Sequence, residues 1–424
     1  MTPSAPVPRL FGPSFAARPD DAYDLLRAAG PVAWAEIADG VHALVVTGRR
    51  AAVDVVTDTD TYSKDSRLWE ALQQGRVPAD SPVLALMAYR PSLLYADGER
   101  HARLRRAMDD CLRRINMHEL REITRRHALR LIDDFAGEGR AELMSQYADM
   151  LPLLVFTDLL GCPPELVERM VTGCQGMINA GPEAAQGAAD LAQCLAEIIA
   201  MKDGSPGRDC TSWMLAHPAR LTHEEILHQL VVLVGAGTIP TSAWIASGLR
   251  LLLSDDHYAG DLTAGAVTVR RALEQVLWTQ SPMANFSVHF ARHDTALHGV
   301  PVPRGVPILI SHAATGTDPA LPPLGYDNRS HLAWSAGPHR CPADSQAAAI
   351  AQTAIETLLD QLWDLELGAG GGANRPGPFH QCPATLAIRF RPRPADASLT
   401  PTASTGGSRV QRTPDSRPHR KAPL

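Results

Sequence analysis

The stretch HLAWSAGPHRCPAD, residues 331–344, sets one cysteine, Cys341, behind a glycine, a histidine and an arginine and in front of a segment with a helical pattern. The six other cysteines, Cys111, Cys162, Cys174, Cys194, Cys210 and Cys382, are scattered, with no CxxC pair and no short metal-ligand spacing. They read as small buried hydrophobes, and neither a disulfide framework nor a zinc site is indicated. Cys341 alone has company that suggests chemistry.

A thiolate can be a nucleophile, a metal ligand or a haem ligand, and each role needs different neighbours. A nucleophile needs a base and an oxyanion site. His339 lies two residues away, but neighbours in sequence seldom meet in catalytic geometry, and no nucleophile-elbow pattern accompanies it. Haem ligation asks for a glycine-permitted loop, donors and positive charge near the sulfur, and a helix whose N-terminus favours the anion. Here Gly337 permits the turn and His339 and Arg340 supply donors. A helix is expected directly after Cys341, with Pro342 in its first turn and Ile350, Ala351, Ala354, Ile355, Leu358 and Leu362 on its apolar face.

Working outward, VAWAEI and HALVVTG read as strands and RRAAVDVVTD as a short helix. The stretch from Ser66 to Asp97 has a loop's composition, with isolated large apolar residues that could line a pocket, namely Leu68, Trp69, Met87 and Tyr89. Beyond it helices dominate as far as LTHEEILHQLVVLVGAGTIPTSAWIASGLRLLLSD, a very long apolar helix interrupted by Gly235, Gly237 and Pro240 and suited to crossing a core. After VRRALEQVLWTQSP the pattern turns to strands in VHFAR, ALHGVPV and VPILISHAA. The fold class is therefore mainly α with a smaller β portion.

With 424 residues, 45% hydrophobic and 20% charged, the chain has ordinary globular composition and no break before its last thirty or so residues, so one domain over 1–392 is expected. The remainder, 393–424, is rich in Pro, Ser, Thr and Arg, has almost no large apolar residue and reads as a disordered tail. A formal charge of -6 and the lack of a basic stripe argue against a nucleic-acid surface. No signal segment or run of eighteen apolar residues is present, so a soluble cytoplasmic protein is expected.

Trp334, Gly337, His339 and Cys341 together resemble the haem-binding loop of bacterial cytochromes P450. DGERHARLRR resembles that family's helix whose His and Arg, four residues apart, bind a haem propionate; these correspond to His101 and Arg105, which share one helix face. The core helix with GAGTIPTS, the helix ALEQVLWTQSP and the strands around HGVPVPRGVPILISHAATGTDP follow in the family's order, so the resemblance covers Phe11 to Arg391 and implies a cytochrome P450 fold. Between the strands and the cysteine loop, ALPPLGYDNRSHLAW looks shorter than is usual.

The chain departs from the pattern in several places. A Glu and an Arg three residues apart on the helix before the strands correspond to Gln275 and Trp278, as in actinobacterial relatives that lack the pair; moving the register to make Glu274 the acid would put Leu277 at the Arg position. Losing both partners of a buried pair can be near neutral, whereas losing one is costly. On the long helix, the acid and alcohol that serve proton delivery in the family correspond to Ile239 and Pro240, with Thr238 and Thr241 flanking them. Pro240 removes one backbone N–H and is expected to open the helix. Ala343 stands where Gly is commoner, and His289 stands where many relatives place a propionate-binding Arg; His289, His293 and His298 lack a shared face for a metal.

The resemblance implies a haem-thiolate monooxygenase with heme b and Cys341 as iron ligand, taking NAD(P)H-derived electrons from ferredoxin and ferredoxin reductase, and oxidising a small organic molecule, with atypical proton delivery through Thr238 and Thr241. It implies a substrate wall from Leu68, Trp69, Met87, the Met177 region, Ala236, Ile239 and residues 284–286. The alternatives are a haem-binding regulatory or interaction protein without turnover, and a peroxide-dependent or isomerising haem enzyme.

Overall fold

The computed structural model describes residues 7–178, 184–254, 269–318, 321, 328–368 and 372–394. Its strands are β1 (Val32–Ala38), β2 (Val41–Val46), β3 (Tyr62–Ser63), β4 (Arg140–Glu142), β5 (Asn285–Ala291), β6 (Thr295–Leu297), β7 (Val300–Val302), β8 (Pro307–Ser311), β9 (Glu366–Leu367) and β10 (Ala387–Arg389). Five of them form a sheet in the order β1-β2-β8-β5-β3, in which β2 and β8 run parallel and the other pairs antiparallel. One face of this sheet packs on Trp69, Met87 and Phe379, the other on the helix Arg49–Thr57. The rest of the described chain is mainly helical and shares one large core.

That core is organised around the helix His223–Ser254, 32 residues long. Its start is a capping box: the Thr222 hydroxyl accepts from Glu225 N–H at 3.1 Å, and the Glu225 carboxylate accepts from Thr222 N–H at 3.1 Å. The helix is long and apolar enough to cross a membrane, but Leu230, Val234, Ile245, Leu249 and Leu252 are buried against the protein's own helices. The pattern led us to expect an interruption at Pro240, yet the helix runs through it. Pro240 deletes only one N–H, and the packing on either side holds the remaining turns in line.

Three other expectations change. The helix after the cysteine loop is Asp344–Gln361, so Pro342 precedes its first turn and two residues intervene between Cys341 and the helix. The strand ends at Ser311 and the HAA that follows is helix: the Ser311 side chain accepts from Ala314 N–H at 3.1 Å and starts the short helix His312–Gly316. The stretch from Ser66 to Asp97 contains short helical turns at Ser66–Leu68, Glu70–Gln73, Leu84–Met87 and Leu93–Tyr95. At the other end, Arg393 pairs with Asp133 at 2.6 Å and its N–H donates to Ala136 O, while residues 395–424 lie outside the described residues, as do 320 and 322–327 of the stretch expected to be short.

Candidate functional site

The cysteine loop is a built turn. Gly337 sits at φ +65°, and a Cβ there would run into the Val56 carbonyl, so only glycine fits both the backbone and the space. Cys341 N–H donates to Trp334 O at 2.9 Å and Arg340 N–H to Gly337 O at 3.1 Å, closing the loop. Trp334 meets Trp244 of the long helix edge-on, with ring centroids 5.3 Å apart. The Cys341 thiol is pushed up by burial, while the Ala343 N–H beside it favours the thiolate. Cys341 nevertheless keeps partial exposure deep in the fold, as a group bordering an internal space does.

His101 and Arg105 lie one turn apart on the helix Gly98–Arg113 and face this loop. The His101 ring lies 4.0 Å from that of His339 at 35°, and His101 Nε2 and His339 Nδ1 are buried without hydrogen-bond partners. Arg105 donates through Nη1 to Pro338 O at 3.0 Å and through Nε to Asp109 Oδ1 at 2.6 Å, which leaves part of its guanidinium fork free. On β5 a bulge between Phe286 and His289, with Ser287 at φ +46°, turns His289 inward, and its Nδ1 bonds to Ser287 O at 2.6 Å. Burial lowers the pKa of His101 and, further, of His289. His298 bonds instead to Asp54 at 2.8 Å. Buried donors with nothing to donate to cost free energy, so the arrangement calls for an acceptor. A haem fits: one thiol to bind the metal, and unpartnered imidazoles with a partly free guanidinium where carboxylates would lie.

Sequence reasoning missed two groups here. Lys64 is buried at the end of β3, with nothing in its local sequence to mark it. Only the register across the sheet reveals it. The second is a latch on the segment leading into the cysteine loop. Glu274 pairs with His331 at 3.2 Å and Arg329 at 3.6 Å, although it stands one position before the expected acid. The Trp278 indole donates to Asn328 O at 2.7 Å and stands edge-on to His331, 5.6 Å between centroids. Arg49 lies over the Trp278 ring at 5.6 Å and donates to Ser330 O. An acid and an indole from one helix and an arginine from another thus hold the same loop.

On the long helix, Gly235, Ala236, Ile239 and Pro240 retain accessible surface, whereas Val234, Thr238, Thr241 and Ser242 on the other flank are buried. Surface left open in mid-core is what a binding space leaves. Gly237 is a close approach: a Cβ would overlap the Phe156 ring. The Thr238 hydroxyl donates to Val234 O at 2.8 Å, one turn back. Ser242 bonds to Asp149, which also pairs with Arg375. Of the expected substrate wall, Met87 and Phe286 line a narrow cavity of about 10 Å³ with Lys64, Leu86, Tyr95 and Val288. Trp69 does not line that cavity and packs instead on Phe290 at 6.4 Å. The Met177 side chain lies outside the described residues.

Compared with known proteins, the chain is 30% identical over 410 residues to the cytochrome P450 monooxygenase PikC of Streptomyces venezuelae, a match covering 92% of this chain and 96% of that one. It is 26% identical over 359 residues to 2-hydroxy-5-methyl-1-naphthoate 7-hydroxylase of Streptomyces carzinostaticus, covering 81% and 87%. Among solved structures it is similar to CYP154C4 from Streptomyces sp. W2061, with a TM-score of 0.80, 25% identity and coverage of 91% and 98%. No protein-family model matches the chain.

Proposed function

Because this chain belongs to the bacterial cytochrome P450 family, whose members are oxidoreductases, we propose that it is a haem-thiolate monooxygenase acting on a small organic molecule of secondary metabolism, with atypical proton delivery. The observation that carries the reading is Cys341, presented by the Gly337 turn beside the buried, unpartnered ring nitrogens His101 Nε2 and His339 Nδ1. Cys341 is the metal ligand. His101, Arg105, His339 and His289 hold the carboxylates, and Trp334 and Gly337 shape the loop. Bound there, heme b supplies the oxidising chemistry, fed with NAD(P)H-derived electrons through ferredoxin reductase and ferredoxin.

The chain's own contribution above the cofactor is to exclude bulk water and to hold protons where they are needed. Ile239 carries no proton, and Pro240 has no hydroxyl. Of the expected relays, Thr241 and Thr238 both lie on the buried flank, away from the open surface, and the Thr238 hydroxyl is already spent on Val234 O, so Thr241 is the better placed of the two to pass a proton through water that reaches that flank. Ala236 lies on the open flank, and its carbonyl, which Pro240 deprives of its usual helical N–H, can accept from a water or a substrate hydroxyl. The latch of Glu274, His331, Trp278 and Arg49 supports membership of the subgroup without the Glu-x-x-Arg pair, because it fixes the loop without that pair. We further read residues 1–392 as one catalytic domain in the cytoplasm and 393–424 as a tail.

The test is the absorption spectrum of the purified protein reduced under carbon monoxide, first chemically and then with ferredoxin, ferredoxin reductase and NADPH. A thiolate-type Soret band under both conditions is expected. A protein that takes up no haem, or binds it without that band, overturns the reading.

A further inference from the structure

Lys64 is 6% exposed, in a protein where lysine is almost never buried without a partner. Its ammonium has no ion pair or hydrogen bond among the described residues. The nearest carboxylate is that of Asp97, but it is already engaged: it accepts from the Ser63 hydroxyl, from Lys64's own backbone N–H at 3.1 Å and from Arg292 at 2.9 Å. The charge of Lys64 is felt by His101, His289, His312 and His339, and burial pushes its pKa down to about 7.

The sheet explains how it arrives there. β3 pairs antiparallel with β5, Tyr62 opposite Ala291 and Ser63 opposite Phe290. Extended one residue beyond the end of β3, that register would set Lys64 opposite His289, the position where the resemblance led us to expect an arginine, and the His289 ring feels the Lys64 charge. Cross-strand neighbours have Cβ atoms about 5 Å apart, so the two side chains serve one place. A neutral imidazole can donate one hydrogen bond but carries no charge, and a lysine across the ladder restores the charge that the histidine lacks.

We propose that Lys64, acting with His289 across the β3–β5 ladder, is a further cofactor-binding residue that receives a haem carboxylate in place of an arginine on β5. This rests on the haem reading above. It also explains why a buried ammonium persists in a wall otherwise formed by Leu86, Met87, Phe286 and Val288: the group that neutralises it arrives with the cofactor.

The experiment compares holoprotein with Lys64 intact, Lys64→Gln, which keeps a neutral donor, and Lys64→Arg, which keeps the charge. Haem transfer to excess apomyoglobin gives a release rate, and a redox titration gives the potential of the iron. No organic acid is added, so a substrate carboxylate cannot produce the effect. Losing a charge-assisted hydrogen bond is expected to speed haem release about tenfold or more in Lys64→Gln and to shift its potential to more negative values, because the reduced site carries one more negative charge. Lys64→Arg should stay within about threefold of the parent. A release rate and potential unchanged in Lys64→Gln overturn the proposal, as does Lys64→Arg behaving like Lys64→Gln, which would mark shape rather than charge. Failure of the unmodified protein to bind haem would instead overturn the reading on which the proposal rests.

Discussion

The cysteine loop and the middle of the long helix are built in opposite ways. The loop is held by point contacts of fixed geometry: a glycine that alone fits at Val56, an edge-on tryptophan pair and the Glu274–His331 contact. The helix segment offers surface without fixed polar chemistry, since Ala236, Ile239 and Pro240 are the open residues and the Thr238 hydroxyl is turned back on its own helix. Holding a cofactor demands a few exact atoms. Moving protons can be shared among hydroxyls, carbonyls and water, so that side tolerates replacement.

The comparison breaks most completely at the sulfur. Cys341→Ser should abolish the thiolate-type carbon monoxide band, and a retained band would move the metal ligand elsewhere. Next comes Gly337→Ala, which forces an unfavourable φ and a clash with Val56; the left-handed strain alone costs about 1–3 kcal/mol, so a fall in the urea midpoint together with haem occupancy is expected. His331→Ala should cost about 1–3 kcal/mol, because it leaves Glu274 half-paired, and should reduce the fraction of protein showing the thiolate band on mild warming. On the helix side, Thr241→Val should lower the share of consumed NADPH recovered as product about tenfold, whereas Thr238→Val should change it less than about threefold. Equal losses in the two threonine variants would show that the Val234 bond opens during turnover.

What could be read from the residues follows the same division. Gly337, His339, Cys341 and the His101–Arg105 spacing were legible because each is a local pattern whose geometry is set within a few residues. The strands and most helices were legible from periodicity. Lys64 was not, because its place follows from the pairing of β3 with β5, and pairing between strands more than two hundred residues apart leaves no local mark. The partners of Glu274 were hidden for a related reason: His331 and Arg329 come from another segment, so spacing along the helix gives no sign of them. Trp69 read as a pocket residue because a large apolar side chain in a loop-like stretch has the same composition whether it faces a cavity or Phe290. The continuity of the helix at Pro240 was decided by packing on its flanks, which overrides a local propensity.

The contacts of the helix Arg49–Thr57 with the cysteine loop carry a consequence for how the molecule comes into being. Arg49 reaches Ser330 across 281 positions of chain, and Val56 receives the Gly337 turn. The seat of the sulfur thus joins an early segment to a late one, and no fragment lacking either can assemble it. During synthesis the first strands and helices must wait, their apolar faces uncovered, until the ribosome has released three-quarters of the chain. Closing so long a loop is slow relative to local helix formation, which makes cofactor capture one of the last steps of folding.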